Sequence, residues 1–178
     1  MPDFRFLIIG SGVMGSGAAI HLAAGTDSVG LLGPTEEMAT RSRDVPKASH
    51  HDAGRNAHSL DEDPVWSELG ARSVEGYRPL EEETGIRFFD EIGYIRVDAD
   101  RSSAETAAGW ATRFAGYEPE VMSGAAANER FPYFSFDPEE TVAYQARGAG
   151  RINPRLYVQA MTARAVASGA TKIDDHAI

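Results

Sequence analysis

The sequence predicts an α/β fold organised around a parallel sheet, and three observations carry that prediction. The first 33 residues alternate strand, helix and strand; a glycine-rich turn joins the first strand to the helix; and a Pro-opened helix late in the chain leads into another β-prone run. Phe4 to Ile9 is a short apolar run suited to a buried strand. Gly10 to Gly15 is a turn, Met14 to Ala24 an Ala-rich helix stopped by Gly25, and Ser28 to Leu32 a second strand ended by Gly33-Pro34. Ala18, Ile20, Leu22 and Ala23 are placed to face the sheet.

Thr35 to His58 shows no sustained period and is rich in charge, Ser and His; an irregular segment of that length in a compact chain is either functional or a sign that its elements are misread. From Asp61 to Glu83 the apolar positions Val65, Trp66, Leu69, Val74, Tyr77 and Leu80 recur at helical spacing. Asp63 caps the start, Pro64 occupies the first turn and Gly85 ends the run. Ile86 to Phe89 and Tyr94 to Val97 read as a hairpin or two adjacent strands, Ser102 to Phe114 as a helix and Glu129 to Tyr133 as a loop. Thr141 to Gln145 reads as a strand and Ala146 to Arg151 as a glycine-rich return. Asn153 then caps a helix with Pro154 first, running to Gly169, and a last strand begins at Thr171. Parallel sheets are covered on both faces and commonly have about five or six strands. One β-α-β unit plus one returning strand leaves this sheet thin, so the chain is expected to be truncated.

Composition excludes several classes. The chain has 178 residues, 42% of them apolar and 25% charged, enough for a core and too mixed for disorder. No run approaches the roughly 20 apolar residues of a membrane span, and no export signal is visible, so a cytoplasmic protein with no membrane partner is expected. A net charge of −10 repels a phosphate backbone, which argues against nucleic acid. Zero cysteines exclude disulfides, thiolate metal sites, a cysteine nucleophile and a flavin attached through a cysteinyl sulfur within these residues.

Gly10-Ser11-Gly12-Val13-Met14-Gly15 fits G-x-G-x-x-G between a strand and a helix, the setting in which the pattern carries meaning. Gly10 permits the tight turn, Gly12 lets the backbone approach a diphosphate, and Gly15 lets helix and strand pack closely. The free N–H groups and partial positive charge of the helix start attract the anion. A Rossmann-like dinucleotide site follows. The acid expected at the end of the second strand to hold an adenosine ribose is absent, because the chain has Leu32-Gly33-Pro34 there. Ribose recognition then falls to a backbone group, to Glu36 or Glu37, or to another part of the chain.

The irregular segment contains Ser49-His50-His51-Asp52-Ala53-Gly54-Arg55. With the glycine turn, this resembles the FAD-dependent amine and amino-acid oxidases of the D-amino-acid oxidase and sarcosine oxidase (DAO) group, in which a Ser-His-His or Ser-His-Tyr stretch and a following Arg lie against the flavin ring. Asp63-Pro64-Val65-Trp66, Thr84 to Phe89 leading to Gly93 to Val97, and Gly150-Arg151-Ile152-Asn153-Pro154-Arg155 resemble that family's successive blocks over nearly the whole chain.

The resemblance implies a Rossmann-like FAD-binding domain in residues 1–85 and again, incompletely, in 150–178, with an α+β substrate-domain part inserted at 86–149. It implies FAD as cofactor, a small secondary amine or amino acid as substrate, an imine product, and reoxidation by oxygen or another acceptor. The cofactor residues it implies are Gly10, Ser11, Gly12, Val13, Met14, Gly15, Ser49, His50, His51 and Arg55. Arg55 is the implied catalytic residue, a permanent cation favouring negative charge on the ring and on oxygen as it accepts an electron.

Without the resemblance, Arg55 reads as a solvated arginine or a partner of Asp52. His50 and His51, if extended, point apart and make an improbable metal pair, so no metal is expected. By the resemblance, His58 takes the place of a second arginine of the family, and that contact is not expected here. Arg147, Arg151 and Arg155 have the charge for a substrate carboxylate, but Arg151 reads as part of the return and Arg155 as helix surface. Two further readings stay open: a truncated, non-catalytic dinucleotide-binding fragment, and an NAD(P)-dependent dehydrogenase, which leaves residues 49–55 unexplained. Oligomeric state is not legible.

Overall fold

The computed structural model describes residues 3–41 and 48–175. Its backbone divides into two compact units, residues 1–55, 79–88 and 152–178, and residues 56–78 and 89–151. The expected limits, 1–85, 86–149 and 150–178, differ most at residues 56–78. These join the second unit because their helix packs on Ala-rich helix 101–115, and because Ser59 N donates to Gln145 Oε1 at 3.3 Å.

In the first unit, β1 (Phe6–Ile9) and β2 (Val29–Gly33) are parallel neighbours joined by α1 (Val13–Gly25). α2 (Glu36–Arg41) follows, with the Thr35 hydroxyl accepting from Met38 N at 3.1 Å. The Pro-opened helix, α7 (Pro154–Ala167), starts as expected, Asn153 accepting from Arg155 N and Leu156 N. It leads to β9 (Thr171–Asp174), which lies parallel on the other side of β2 and gives the order β1-β2-β9. Ala19, Val29, Leu31, Ala165 and Ala170 form the core. Ala19 takes the sheet-facing place expected of Ala18, which is exposed. β1 is an edge strand, and Phe6, Leu7 and Ile9 are exposed rather than buried, since no strand pairs on its free side among the described residues.

In the second unit, α3 (Pro64–Glu75) begins at Asp63, whose carboxylate accepts from Val65 N at 2.8 Å. The single helix expected to Glu83 breaks at Gly76 and restarts as α4 (Tyr77–Thr84), whose residues from Pro79 onward belong to the first unit. Pro79 explains the break. It has no N–H for a bond to Glu75 O and its ring collides with that carbonyl in a continuous helix, whereas in the first turn of a new one it is tolerated. β4 (Phe89–Asp90) and β5 (Tyr94–Asp98) are neither a hairpin nor neighbours: β4 joins the sheet β3-β8-β4, with β3 (Arg55–Ala57) and β8 (Gly150–Ile152), and β5 pairs antiparallel with β7 (Thr141–Gln145). Between them Gly93, at φ +83°, donates to Ala149 O at 3.0 Å and packs under the Tyr144 ring, which turns the chain out of the β3-β8-β4 sheet.

β6 (Glu120–Ser123) completes the order β5-β7-β6, and α6 (Gly124–Arg130) replaces the start of the expected loop. The core of this unit is an alanine stripe on α5 (Arg101–Ala115), residues Ala104, Ala107, Ala108 and Ala111, packed with Leu60 and Ala143. Among the described residues no helix is long and apolar enough to cross a membrane.

Candidate active site

The glycine turn is built by close backbone approach. Gly10 adopts φ +106° and donates to Leu32 O at 2.8 Å, which ties the turn to the end of β2. A Cβ on Gly15 would lie 1.7 Å from Gly10 O, so only glycine lets the helix start against the strand. Gly12 is the N-cap of α1 and supplies no side-chain cap, so its first-turn N–H groups have no such partner to occupy them. The Ser16 hydroxyl donates back to Gly12 O at 2.7 Å and fixes the first turn.

This turn opens onto a cavity of ≈ 310 Å³, at the lower end of the roughly 300–1,000 Å³ of small-molecule sites. Gly10, Ser11 and Gly12 line one side, Leu32 to Glu36 the end of β2 and start of α2, and Ala48, His50 and His51 another side. Residues 48–51 turn, with His51 N donating to Ala48 O at 3.4 Å, so the two imidazoles do not diverge as an extended pair would: their centroids are 4.5 Å apart. His50 is buried, and its Nδ1 has no hydrogen-bond partner. Burial, and then the neighbouring His51, lower its pKa below the ordinary imidazole value and favour the neutral ring.

A buried, unpartnered ring nitrogen on a cavity-lining histidine, beside uncapped helix amides, fits a polar, anionic ligand better than an apolar one. Glu36, His50 and His51 also bring potential ligand atoms within 4.8 Å of one another. Arg155 nevertheless forms an ion pair with Glu36, placing a permanent cation where a metal's charge would act.

Of the sequence-predicted cofactor residues, Gly10, Ser11, Gly12, His50 and His51 line the cavity. Val13, Met14, Gly15, Ser49 and Arg55 do not, and Met14 is 86% exposed. Arg55 donates to the Ser49 carbonyl and, through Nε at 2.7 Å, to Asp52, bracing the 49–55 segment with its side chain half exposed. Sequence reasoning left Arg155 without a role; its partner Glu36 lies 119 residues away, so no local pattern could reveal the pair. His58, in the second unit, stacks on Tyr94 at 3.9 Å and 2°, beside Asp61 and Arg96. Arg151 pairs with Asp90 at 2.6 Å.

Comparison with known proteins identifies the family. Monomeric sarcosine oxidase of Streptomyces avermitilis is 29% identical over 174 residues, 95% of this chain and 42% of that protein. Among solved structures, L-proline dehydrogenase from P. horikoshii superposes with a TM-score of 0.75 at 21% identity, over 98% of this chain and 45% of the other. Iminodiacetate oxidase from Chelativorans sp. BNC1 superposes with a TM-score of 0.63 at 25% identity, over 97% and 47%. The chain thus spans less than half the length of these relatives. The family model DAO, FAD dependent oxidoreductase, matches residues 5–178. With the glycine turn and the histidine pair meeting in one cavity, this chain belongs to the DAO family of FAD-dependent oxidoreductases, for which FAD is the cofactor.

Proposed function

We propose that this chain is the dinucleotide-binding part of an enzyme that oxidises the C–N bond of a small secondary amine or amino acid to an imine, with oxygen or another acceptor taking up the electrons. One observation carries the reading. The Gly10–Gly12 turn and the His50–His51 pair, far apart in sequence, line a single cavity. The similarity to a sarcosine oxidase over 95% of the chain supports an amine substrate.

FAD, when bound, supplies the acceptor for the hydride equivalent leaving the C–H bond beside the substrate nitrogen. The protein supplies the rest. The first-turn amides of α1 receive the diphosphate, and the left-handed Gly10 shapes the turn that aims them. His50, buried and with its pKa lowered towards the neutral ring, would line the cofactor's cavity beside the glycine turn. The bonds of Arg55 to Ser49 O and Asp52 hold the 49–55 segment in the form that presents the histidines. In this reading the first compact unit binds the dinucleotide, and the second forms part of the substrate side.

The test is retention of the cofactor. The chain is mixed with FAD, passed through gel filtration and examined by visible absorption. Flavin absorbance emerging with the protein is expected; a colourless protein fraction after exposure to FAD contradicts the proposal.

A further inference from the structure

The missing ribose acid has a structural cause and a replacement. Gly33 ends β2 directly against the glycine turn, where a Cβ would lie 2.3 Å from Ser11 Oγ and 2.6 Å from Ser11 N. A side chain at the place where such an acid usually stands would collide with Ser11, with its backbone N as well as its side chain.

Two acids follow, and the structure separates them. Glu37 forms an ion pair along its own helix with Arg41, and its side chain is 65% exposed. Glu36 is one of the cavity-lining residues, together with Gly10 to Gly12, Gly33 and Thr35. Its side chain is 29% exposed, and its Oε1 accepts from Nη2 of Arg155. Arg155 stands in the first turn of α7, whose start is fixed by the Asn153 cap and by Asn153 N donating to Phe88 O at 2.8 Å. The guanidinium is therefore delivered to Glu36 from a fixed point.

We infer that Glu36 is the acceptor for the vicinal ribose hydroxyls of the bound dinucleotide, displaced from the end of β2 into α2, with Arg155 as the residue that positions it. This rests on the dinucleotide reading above. An ionised carboxylate only accepts hydrogen bonds, and its two oxygens suit two neighbouring O–H donors. The same charge repels a phosphate on the ribose, so the site selects an unphosphorylated adenosine ribose.

The experiment compares ADP with 2′,3′-dideoxy-ADP as ligands of the chain by isothermal titration calorimetry, alongside FAD. Wild type is expected to prefer ADP by about ten- to a hundredfold, the range for hydrogen bonds to a charged group. Glu36→Ala removes the preference, the near-isosteric Glu36→Gln lowers it, and Glu37→Ala leaves it unchanged. Arg155→Met lowers the ratio and Arg155→Lys restores part of it, a pattern that general loss of folding does not produce. If FAD and ADP bind and the ratio is indifferent to Glu36, the inference is overturned while the dinucleotide reading stands. If neither FAD nor ADP binds wild type, that reading fails and this inference with it.

Discussion

Replacing Gly15 by Ala sets two physical effects of opposite sign against each other. Gly15 lies in the first turn of α1, and on helix propensity alone Ala is better there by up to about 1 kcal/mol. The structure predicts the reverse. The added Cβ would lie 1.7 Å from Gly10 O, 2.9 Å from Gly10 C and 3.4 Å from Ile8 Cγ2. The first two atoms are backbone, so no rotamer change relieves the overlap and β1 and α1 must separate. Overpacking costs roughly 1–3 kcal/mol; taking the upper end and subtracting the propensity gain leaves a loss of about 2 kcal/mol. For a chain of this size each kcal/mol moves Tm by about 2–4 °C, so a fall of roughly 4–8 °C is expected. Far-UV circular dichroism is the suitable probe, because Trp66 and Trp110 both lie outside this compact unit. An unchanged or raised Tm refutes the close-approach account of the turn.

Gly12→Ala behaves differently. Its Cβ would make ordinary contacts, 3.4 Å to Ala48 Cβ and 3.6 Å to His50 Nδ1, so Tm stays close to wild type while FAD retention falls, as gel filtration with FAD would record. Asp63→Ala removes the acceptor for Val65 N and Trp66 N at the start of α3 and is expected to cost about 0.5–2 kcal/mol in urea unfolding. Burial lowers the pKa of both His50 and His58 below 6.5, so the unfolded chain binds more protons as the medium becomes acidic. Their contribution to stability is full above pH 6.5 and is lost as pH falls towards their folded values. Urea unfolding at about pH 7.5 and about pH 5.5 reads this slope, and His50→Asn is expected to flatten it.

The parts of the fold legible in the sequence are those set by neighbours along the chain. The β-α-β unit, the Asp63-Pro64 and Asn153-Pro154 helix starts and the strands at Thr141 and Thr171 each carry a local signal, a cap, a proline or a β-prone run. What was not legible depends on distant partners. The separation of β4 from β5 rests on Gly93 meeting Ala149 and Tyr144. β6 has only Val121 and Met122 as apolar residues and is defined by pairing with β7. The break at Gly76 has a local signal in Pro79, which the helical spacing of apolar residues on both sides masks.

The same division holds in the site. The glycine turn is a local pattern and was read from the sequence, whereas the pairing of Glu36 with Arg155 spans 119 residues. An extended backbone would make the two histidines diverge, whereas the turn from Ala48 to His51 brings their rings together.

Amide hydrogen exchange of the chain with and without FAD tests the central claim most directly, since it reports where the ligand touches rather than whether it binds. Slowed exchange is predicted in two separate stretches, Ser11 to Gly15 and His50 to Asp52, with little change around His58 and Tyr94. Protection confined to the His58–Tyr94 region, or present at the glycine turn but absent from the histidine pair, would contradict the account.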